Sequence, residues 1–229
     1  ALNTSLLIQS DTTDGSIIFE DSSVNSHIIS RSVITHQTEQ FKFGVSSIYT
    51  APGLGYLSIP DHTSLDCSGI CTIDFWMRPD SVAVTGYAVC KTPTGNPHNG
   101  WFIYHVGTEV RLIYSDGSEL LAGGVIGALT WTHIAVSYDG TTLRLFVDGF
   151  VVDSVEASIQ YDTSSVCIGQ LATGYSTNDF NGYIDEIRIS KGVARWTDDF
   201  TPPTYSYGSI PYPWNRLHIT DASNNELFT

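Results

Sequence analysis

Residues 130–153, TWTHIAVSYDGTTLRLFVDGFVVD, constrain the fold more than any other part of the chain. Two Asp-Gly pairs, Asp139-Gly140 and Asp148-Gly149, punctuate three runs rich in β-branched and aromatic residues. Asp-Gly tolerates the positive φ angles of a tight primed turn, so a two-residue loop between such runs predicts a hairpin. Ile134, Val136 and Tyr138 share one face at period two, as do Leu143, Leu145 and Val147. Arg144, Phe146 and Asp148 point the other way. A meander with one apolar face needs a second layer to cover it.

The same signals recur along the chain. Segments 5–9, 15–20, 42–50, 55–60, 72–79, 165–170 and 182–190 read as strands, separated by Ser/Asp/Thr clusters and by breakers such as Ala51-Pro52-Gly53. In 72–79 Ile73, Phe75 and Met77 fall on one face and Trp76 on the other. Ser115-Asp116-Gly117 marks a turn between RLIY and ELL, and GVARW (192–196) makes one turn of helix at most. Roughly a dozen short strands with frequent turn signals predict an all-β, two-sheet antiparallel sandwich or jelly roll. A chain of 229 residues suits one such domain, placed at residues 1–200. Residues 201–229 carry four of the nine prolines, with Tyr205, Tyr207, Tyr212 and Trp214 among them. Proline fixes φ and removes ladder donors, so this part predicts an extended arm that docks on its own domain or on a neighbouring subunit.

The charge balance narrows the partners. The net charge is −14, from 24 acids against 10 bases, and there is no Lys/Arg run. Phosphate-backbone recognition needs a basic footprint, so nucleic acid is not an expected partner. The excess of acid suits solubility or cation binding. No stretch approaches the roughly 18 consecutive apolar residues of a spanning helix, so no membrane insertion is expected. Ala1 is compatible with removal of an initiator Met or of a signal peptide, and so does not settle export. Cys67-x3-Cys71 brackets Ser68-Gly69 and could close a small disulfide loop, whereas Cys90 and Cys167 stand alone as small strand residues.

Along about 200 positions the chain resembles the laminin-G-like, concanavalin-A-like jelly rolls, of the subtype found in bacterial surface and phage virion proteins. The resemblance is carried, in order, by Leu6-Leu7 with Asp11, Asp21-Ser22-Ser23, Phe43-Gly44 with Ser46-Ser47, and Tyr56-Leu57-Ser58-Ile59-Pro60. It continues through Phe75-Trp76 with Arg78-Pro79, Gly100-Trp101, Trp131 with His133, and LRLFVDG (143–149). It closes with Gly182-Tyr183-Ile184-Asp185, Gly192-Val193-Ala194-Arg195 and Phe200-Thr201-Pro202-Pro203. Each piece is weak alone, and the ordered series is specific. It implies two face-to-face antiparallel sheets and a binding or adhesion role, on a virion or at the extracellular or cell surface, rather than catalysis.

In 182–190, alternation places Asp185 with Ile187 and Ile189, and Glu186 with Ile184 and Arg188. A carboxylate on a core face must be paired, hydrogen-bonded or metal-bound. The resemblance implies a structural Ca²⁺ between the N-terminal loops and this strand, with Asp21 as partner of Asp185 and Asp11 as a further candidate. The alternative is that Asp185 accepts backbone amides of the N-terminal segment. Polysaccharide cleavage is not expected: a Glu-x-Asp-x-x-Glu strand is absent, Asp185 and Glu186 are adjacent, and no Gly-x-Ser-x-Gly occurs. His133, on a strand face with Trp131 and Ala135, reads as a hydrogen-bonded core histidine.

Sugar binding is the remaining chemistry, since sugars are held by aromatic faces and by amide and carboxylate hydrogen bonds on loops. Loop 172–181 offers Tyr175, Asn178 and Asp179; loop 92–101 offers Asn96 and His98, with Trp101 matching the family pattern as a core residue. The expected function is thus a non-catalytic, glycan-recognising module displayed on a virion or bacterial surface, with a cell-surface glycan as partner. The alternative is a decoration or fibre component that contacts only other virion or surface-protein subunits, and the C-terminal arm favours it.

Overall fold

The apolar face of the central meander is covered, as its periodicity requires. The computed structural model describes residues 3–53, 55–93, 100–114, 121–159, 162–172 and 177–208, and the backbone alone of 119–120, 219–220 and 226–227. The strands are β1 (Thr4–Ile8), β2 (Ser30–Arg31), β3 (His36–Gln37), β4 (Ser47–Thr50) and β5 (Leu57–Ile59). Next come β6 (Cys71–Pro79), β7 (Gly86–Lys91), β8 (Trp101–Val106), β9 (Glu109–Tyr114) and β10 (Glu119–Gly123). The meander is β11 (Thr132–Tyr138), β12 (Thr142–Val147) and β13 (Phe150–Glu156), followed by β14 (Val166–Ile168) and β15 (Gly182–Lys191). Beyond the sandwich, β16 (Ile219–Thr220) pairs antiparallel with β17 (Glu226–Leu227).

One sheet has eight strands in the order β13-β12-β11-β6-β15-β4-β3, with β1 also paired to β15; the other has seven, β10-β9-β8-β7-β14-β5-β2. The two antiparallel sheets stack as a jelly-roll sandwich. Ile73, Phe75, Met77, Ile134, Val136, Leu143, Leu145 and Val147 meet Leu57, Ile59, Val89, Trp101, Ile103, Leu112, Val166 and Ile168 in one buried core. Every face assignment made from alternation in 72–79 and in the meander holds.

Two local readings change. Residues 15–20 form no strand, and Ile17 and Ile18 stand 53% and 68% exposed; two consecutive β-branched residues carry no period-two face. Of segment 42–50 only β4 is a strand. No helix forms at 192–196, and the helical element among the described residues is a 3₁₀ turn, Thr63–Leu65. The two Asp-Gly turns also differ from each other. Asp148 (φ 48°) and Gly149 (φ 83°) make the two-residue primed turn. At Asp139 the strands rejoin only at Tyr138 opposite Leu143. There the Asp139 side chain accepts the N–H groups of Thr141 (2.9 Å) and Thr142 (2.8 Å), so an Asx-type loop replaces the tight turn.

The four cysteines are buried free thiols, and Cys71 Sγ faces the Cys67 carbonyl at 3.7 Å, so the short disulfide loop does not form. Cys90 and Cys167 lie directly opposite each other in β7 and β14.

A bulge in β15 resets one face. Ile184 pairs with Met77 and Asp185 with Trp76, but the next partner of β6 is Arg188, opposite Asp74. Glu186, at φ 52°, absorbs the extra residue. Ile184, Ile187 and Ile189 therefore all enter the core, while Asp185 and Arg188 face outward with Trp76 and Asp74. Simple alternation had put Asp185 on the core face; the bulge is why it is not there.

Gly149 gives a test of the meander. A Cβ there would lie 2.0 Å from the Phe200 carbonyl oxygen, at φ +83°, whereas one at Gly15 (φ +72°) meets nothing. Gly149→Ala should cost about 2–4 kcal/mol in urea denaturation, against about 1 kcal/mol for Gly15→Ala. Equal losses would mean that the contact between the turn and Phe200 is not formed.

Candidate functional site

The outer face of the eight-stranded sheet carries a second, polar interior. Asp74 on β6, His133 on β11 and Arg188 on β15 sit on adjacent strands, and all three are buried. Arg188 donates to both oxygens of Asp74, Nε to Oδ1 at 2.9 Å and Nη2 to Oδ2 at 2.8 Å. His133 Nε2 lies 3.6 Å from Asp74 Oδ2 and 3.0 Å from the Tyr207 hydroxyl. Burial pushes the Asp74 carboxyl up, but the charge of Arg188 and the hydrogen bonds of His133 and Arg188 outweigh it and hold it below the usual range.

The chain after β15 covers this layer. The Tyr207 ring lies 3.9 Å from the Arg188 guanidinium carbon. The Tyr207 N–H donates to Glu186 Oε2 at 2.8 Å, and the Ser206 hydroxyl donates to Glu186 Oε1. Gln9 Nε2 donates to Ser206 Oγ (2.8 Å) and to the Tyr207 carbonyl (2.7 Å). Trp196 stacks on Phe200 at 3.9 Å and 7°, and Phe200 meets Phe146 edge-on at 5.4 Å. The beginning of the arm thus docks on its own domain. His133 is the hydrogen-bonded, buried histidine expected, on the outer side of its sheet.

Asp21 and Asp185 are both buried. Asp21 Oδ1 accepts the N–H groups of Leu7 (2.9 Å) and Ser23 (2.8 Å), and Oδ2 accepts the Ser23 hydroxyl and the His27 N–H, both at 2.8 Å. Asp185 Oδ2 accepts the N–H groups of Lys42 (2.9 Å) and Phe43 (3.2 Å), and Oδ1 that of Glu186 (2.9 Å). Asp11 Oδ1 accepts the Val45 N–H at 3.0 Å. Calcium needs several oxygen ligands turned toward one point. Here the groups facing both carboxylates are donors, and among the described residues no three His, Cys, Asp or Glu side chains gather to hold a metal. These residues do not fit a shared cation; they pin the 21–27 and 42–43 loops to the sheet.

Of the loop residues expected to bind sugar, Asn178 is exposed at φ 58° and its carbonyl accepts the Tyr87 N–H at 3.0 Å. Asp179 is buried: Oδ1 accepts Gln170 Nε2 and Oδ2 accepts the Gly53 N–H, both at 3.2 Å. Asp179 therefore ties its loop to the 51–53 turn. Tyr175, Asn96 and His98 lie outside the described residues, and Trp101 is in the core as expected.

A different group converges at the start of β15. Tyr183 pairs in register with Tyr49 of β4, and their rings lie 4.8 Å apart at 47°. The Arg78 guanidinium sits 5.6 Å from the Tyr183 ring and 3.2 Å from Asp80 Oδ1. The Tyr183 hydroxyl donates to Glu39 Oε2 at 3.3 Å. With Gln37 and Gln40 these residues line a hollow of about 410 Å³. Burial first, then the charges of Glu39 and Asp80, push the Tyr183 hydroxyl up to about 12, which keeps it a neutral donor. Sequence reading missed this site because the register that brings Tyr49 to Tyr183 links residues far apart in the chain. The only local signal was Tyr183 inside the Gly-Tyr-Ile-Asp motif.

The fold is that of the lectin-like jelly rolls. The chain belongs to the concanavalin A-like lectin/glucanases superfamily, whose profile matches residues 52–198. It is similar to the binding domain of Paraclostridial Mosquitocidal Protein 1, with TM-score 0.64 at 13% identity over 82% of this chain and 48% of that chain. It is also similar to the botulinum neurotoxin serotype C1 binding domain, with TM-score 0.61, 11% identity and the same two coverages, 82% and 48%. A third similar structure is the binding domain of botulinum neurotoxin DC in complex with SialylT, with TM-score 0.61, 11% identity, and 82% and 47% coverage. The chain spans about half the length of these solved structures, and at such identities the likeness shows the fold. No curated protein matches it.

The buried carboxyls make stability depend on pH. Burial pushes Glu186 up from 4.5 to about 7, against the pull of Ser206 and Tyr207, and burial also raises Asp185 well above its usual range. A raised folded-state value means that the folded form holds the proton more tightly. The contribution is present in full below the unfolded value near 4.5 and is lost as pH rises through about 7. Allowing for partial solvent screening, the Glu186 share is about 2 kcal/mol. Urea denaturation should show greater stability at pH 5.5 than at pH 8, with a flatter profile in Glu186→Gln. A wild-type profile that rises with pH over this range would contradict the assignment. Melting should also be the same in calcium and in chelator, with no metal in elemental analysis; a rise of about 5 °C in calcium would reinstate a bound cation.

Proposed function

We propose that this chain is a non-catalytic glycan-binding module whose saccharide site is the Tyr49–Tyr183 hollow. The observation that carries the reading is a pair of tyrosine rings edged by two amides, two carboxylates and a guanidinium. Aromatic faces match the C–H faces of a pyranose, and Gln37, Gln40, Glu39, Asp80 and Arg78 offer both donors and acceptors for its hydroxyls. Arg78–Asp80 and Tyr183–Glu39 already hold one another, so little side-chain freedom is lost on binding.

The absence of catalysis is supported by the fate of the acids on β15. Asp185 is held by three amides, and Glu186 is capped by Ser206 and Tyr207. Family membership supports a lectin-like role. One similar structure is described through the dependence of botulinum neurotoxin type C cell entry on two ganglioside molecules. Display on a virion or bacterial surface is part of this proposal, and what supports it is the kind of jelly roll the sequence resembles. A subunit-contact role has one observation in its favour: Phe150, Val151 and Val155, on the edge strand β13, are 63%, 37% and 39% exposed.

A glycan array followed by calorimetry on the best hit tests the reading. Tyr49→Ala and Glu39→Gln should each weaken binding about tenfold or more, roughly 1.4 kcal/mol, with the melting temperature nearly unchanged. An empty array, together with elution as a large assembly, would favour subunit contacts instead.

A further inference from the structure

A second hollow, of about 500 Å³, lies between β15 and the chain that covers it. We infer that it is an anion-selective site that takes an acidic saccharide by its carboxylate. It goes beyond the Tyr49–Tyr183 hollow and shares no residue with it.

Two guanidinium groups, Arg188 and Arg195, line this hollow, in a chain with only 10 bases against 24 acids. Arg188 commits Nε and Nη2 to Asp74, and Nη1 has no hydrogen-bond partner among the described residues. The Asp74 pair and the Tyr207 ring at 3.9 Å fix its position. Arg195 is aimed by its hydrogen bonds to hydroxyls, Nε to Ser190 Oγ at 2.8 Å and Nη2 to Thr4 Oγ1 at 3.3 Å. Burial, then the adjacent charge of Arg188, holds the Arg195 guanidinium below its ordinary range. An anion between the two would offset that repulsion. The charge of Asp74 offsets part of that repulsion, but its two oxygens are already taken by Arg188, and Glu186 is engaged by Ser206 and Tyr207.

The remaining walls choose what carries the anion. Trp196, Pro203 and Tyr205 line the same hollow, and Tyr205 is 46% exposed. A bare inorganic anion gains nothing from aromatic and prolyl surface. A pyranose bearing a carboxylate presents a C–H face to the rings and a planar two-oxygen acceptor to the guanidinium groups.

Calorimetry with methyl β-glucuronide, its neutral twin methyl β-glucoside, and acetate separates the possibilities. The glucuronide should bind at least about tenfold more tightly than either control. Arg195→Gln and the exposed-site variant Tyr205→Ala should each weaken it about tenfold, and Tyr49→Ala should leave it unchanged. Equal affinity for the glucoside, or equal affinity for acetate, overturns the proposal, as does no glucuronide binding to the wild type at about 10 mM. Loss with Tyr49→Ala but not with Tyr205→Ala places the acid in the other hollow and also overturns it. Tyr205→Ala keeps the test valid if Arg195→Gln fails to fold.

Discussion

The ion pair between Asp74 and Arg188 is the interaction on which the outer half of this molecule depends. It joins β6 to β15, the two central strands of the larger sheet, on the side turned away from the core. Two charges removed from water cost several kcal/mol each unless geometry and extra hydrogen bonds compensate. Both Asp74 oxygens accept from Arg188, His133 stands beside them, and the Tyr207 ring closes over the guanidinium. That closure accounts for the chain doing more than ending after its last long strand. Residues 192–208 run back across the sheet, with the Trp196–Phe200 stack on one side and the Ser206–Tyr207 clasp of Glu186 on the other.

The bulge at Glu186 makes this arrangement compatible with a continuous core. Were the same residues in regular alternation without the bulge, Asp185 and Arg188 would fall on opposite faces, and one would enter the apolar layer. With it, Ile184, Ile187 and Ile189 stay inside while Asp185 and Arg188 look outward. The same strand then serves two surfaces. Its first residues, with β4, build the tyrosine-lined hollow, and its later residues, with the covering segment, build the arginine-lined one. The likeness to toxin binding domains concerns the fold alone; the two hollows are built from side chains of this chain.

Much of the fold was legible in the sequence because its causes are local. Alternation at Ile73, Phe75 and Met77 and along the meander identified the core faces, and Asp148-Gly149 identified a primed turn. The failures have equally local reasons. Ile17-Ile18 has β-branched composition without alternation, and the side chain of Asp139 accepts the amides that a two-residue turn would have left elsewhere. The site was far less legible. A bulge shifts phase by one residue and has no marker in GYIDEIRIS, so Asp185 was assigned to the wrong face. Asp179 looked like a loop acceptor for sugar hydroxyls, yet the donors it accepts from, Gly53 and Gln170, are set by tertiary folding. Tyr49 with Tyr183, and Arg188 with Arg195, converge only once strand register and the covering segment are in place.

The most direct measurement is a double-mutant cycle on Asp74→Asn and Arg188→Met by chemical denaturation. Each single change leaves the other group buried without its partner, and so should cost about 3–5 kcal/mol. The double variant should lose clearly less than the sum, with a coupling of about 2 kcal/mol or more. Additive losses would mean that the pair does not act as a unit, and that the covering segment is held by its aromatic contacts alone.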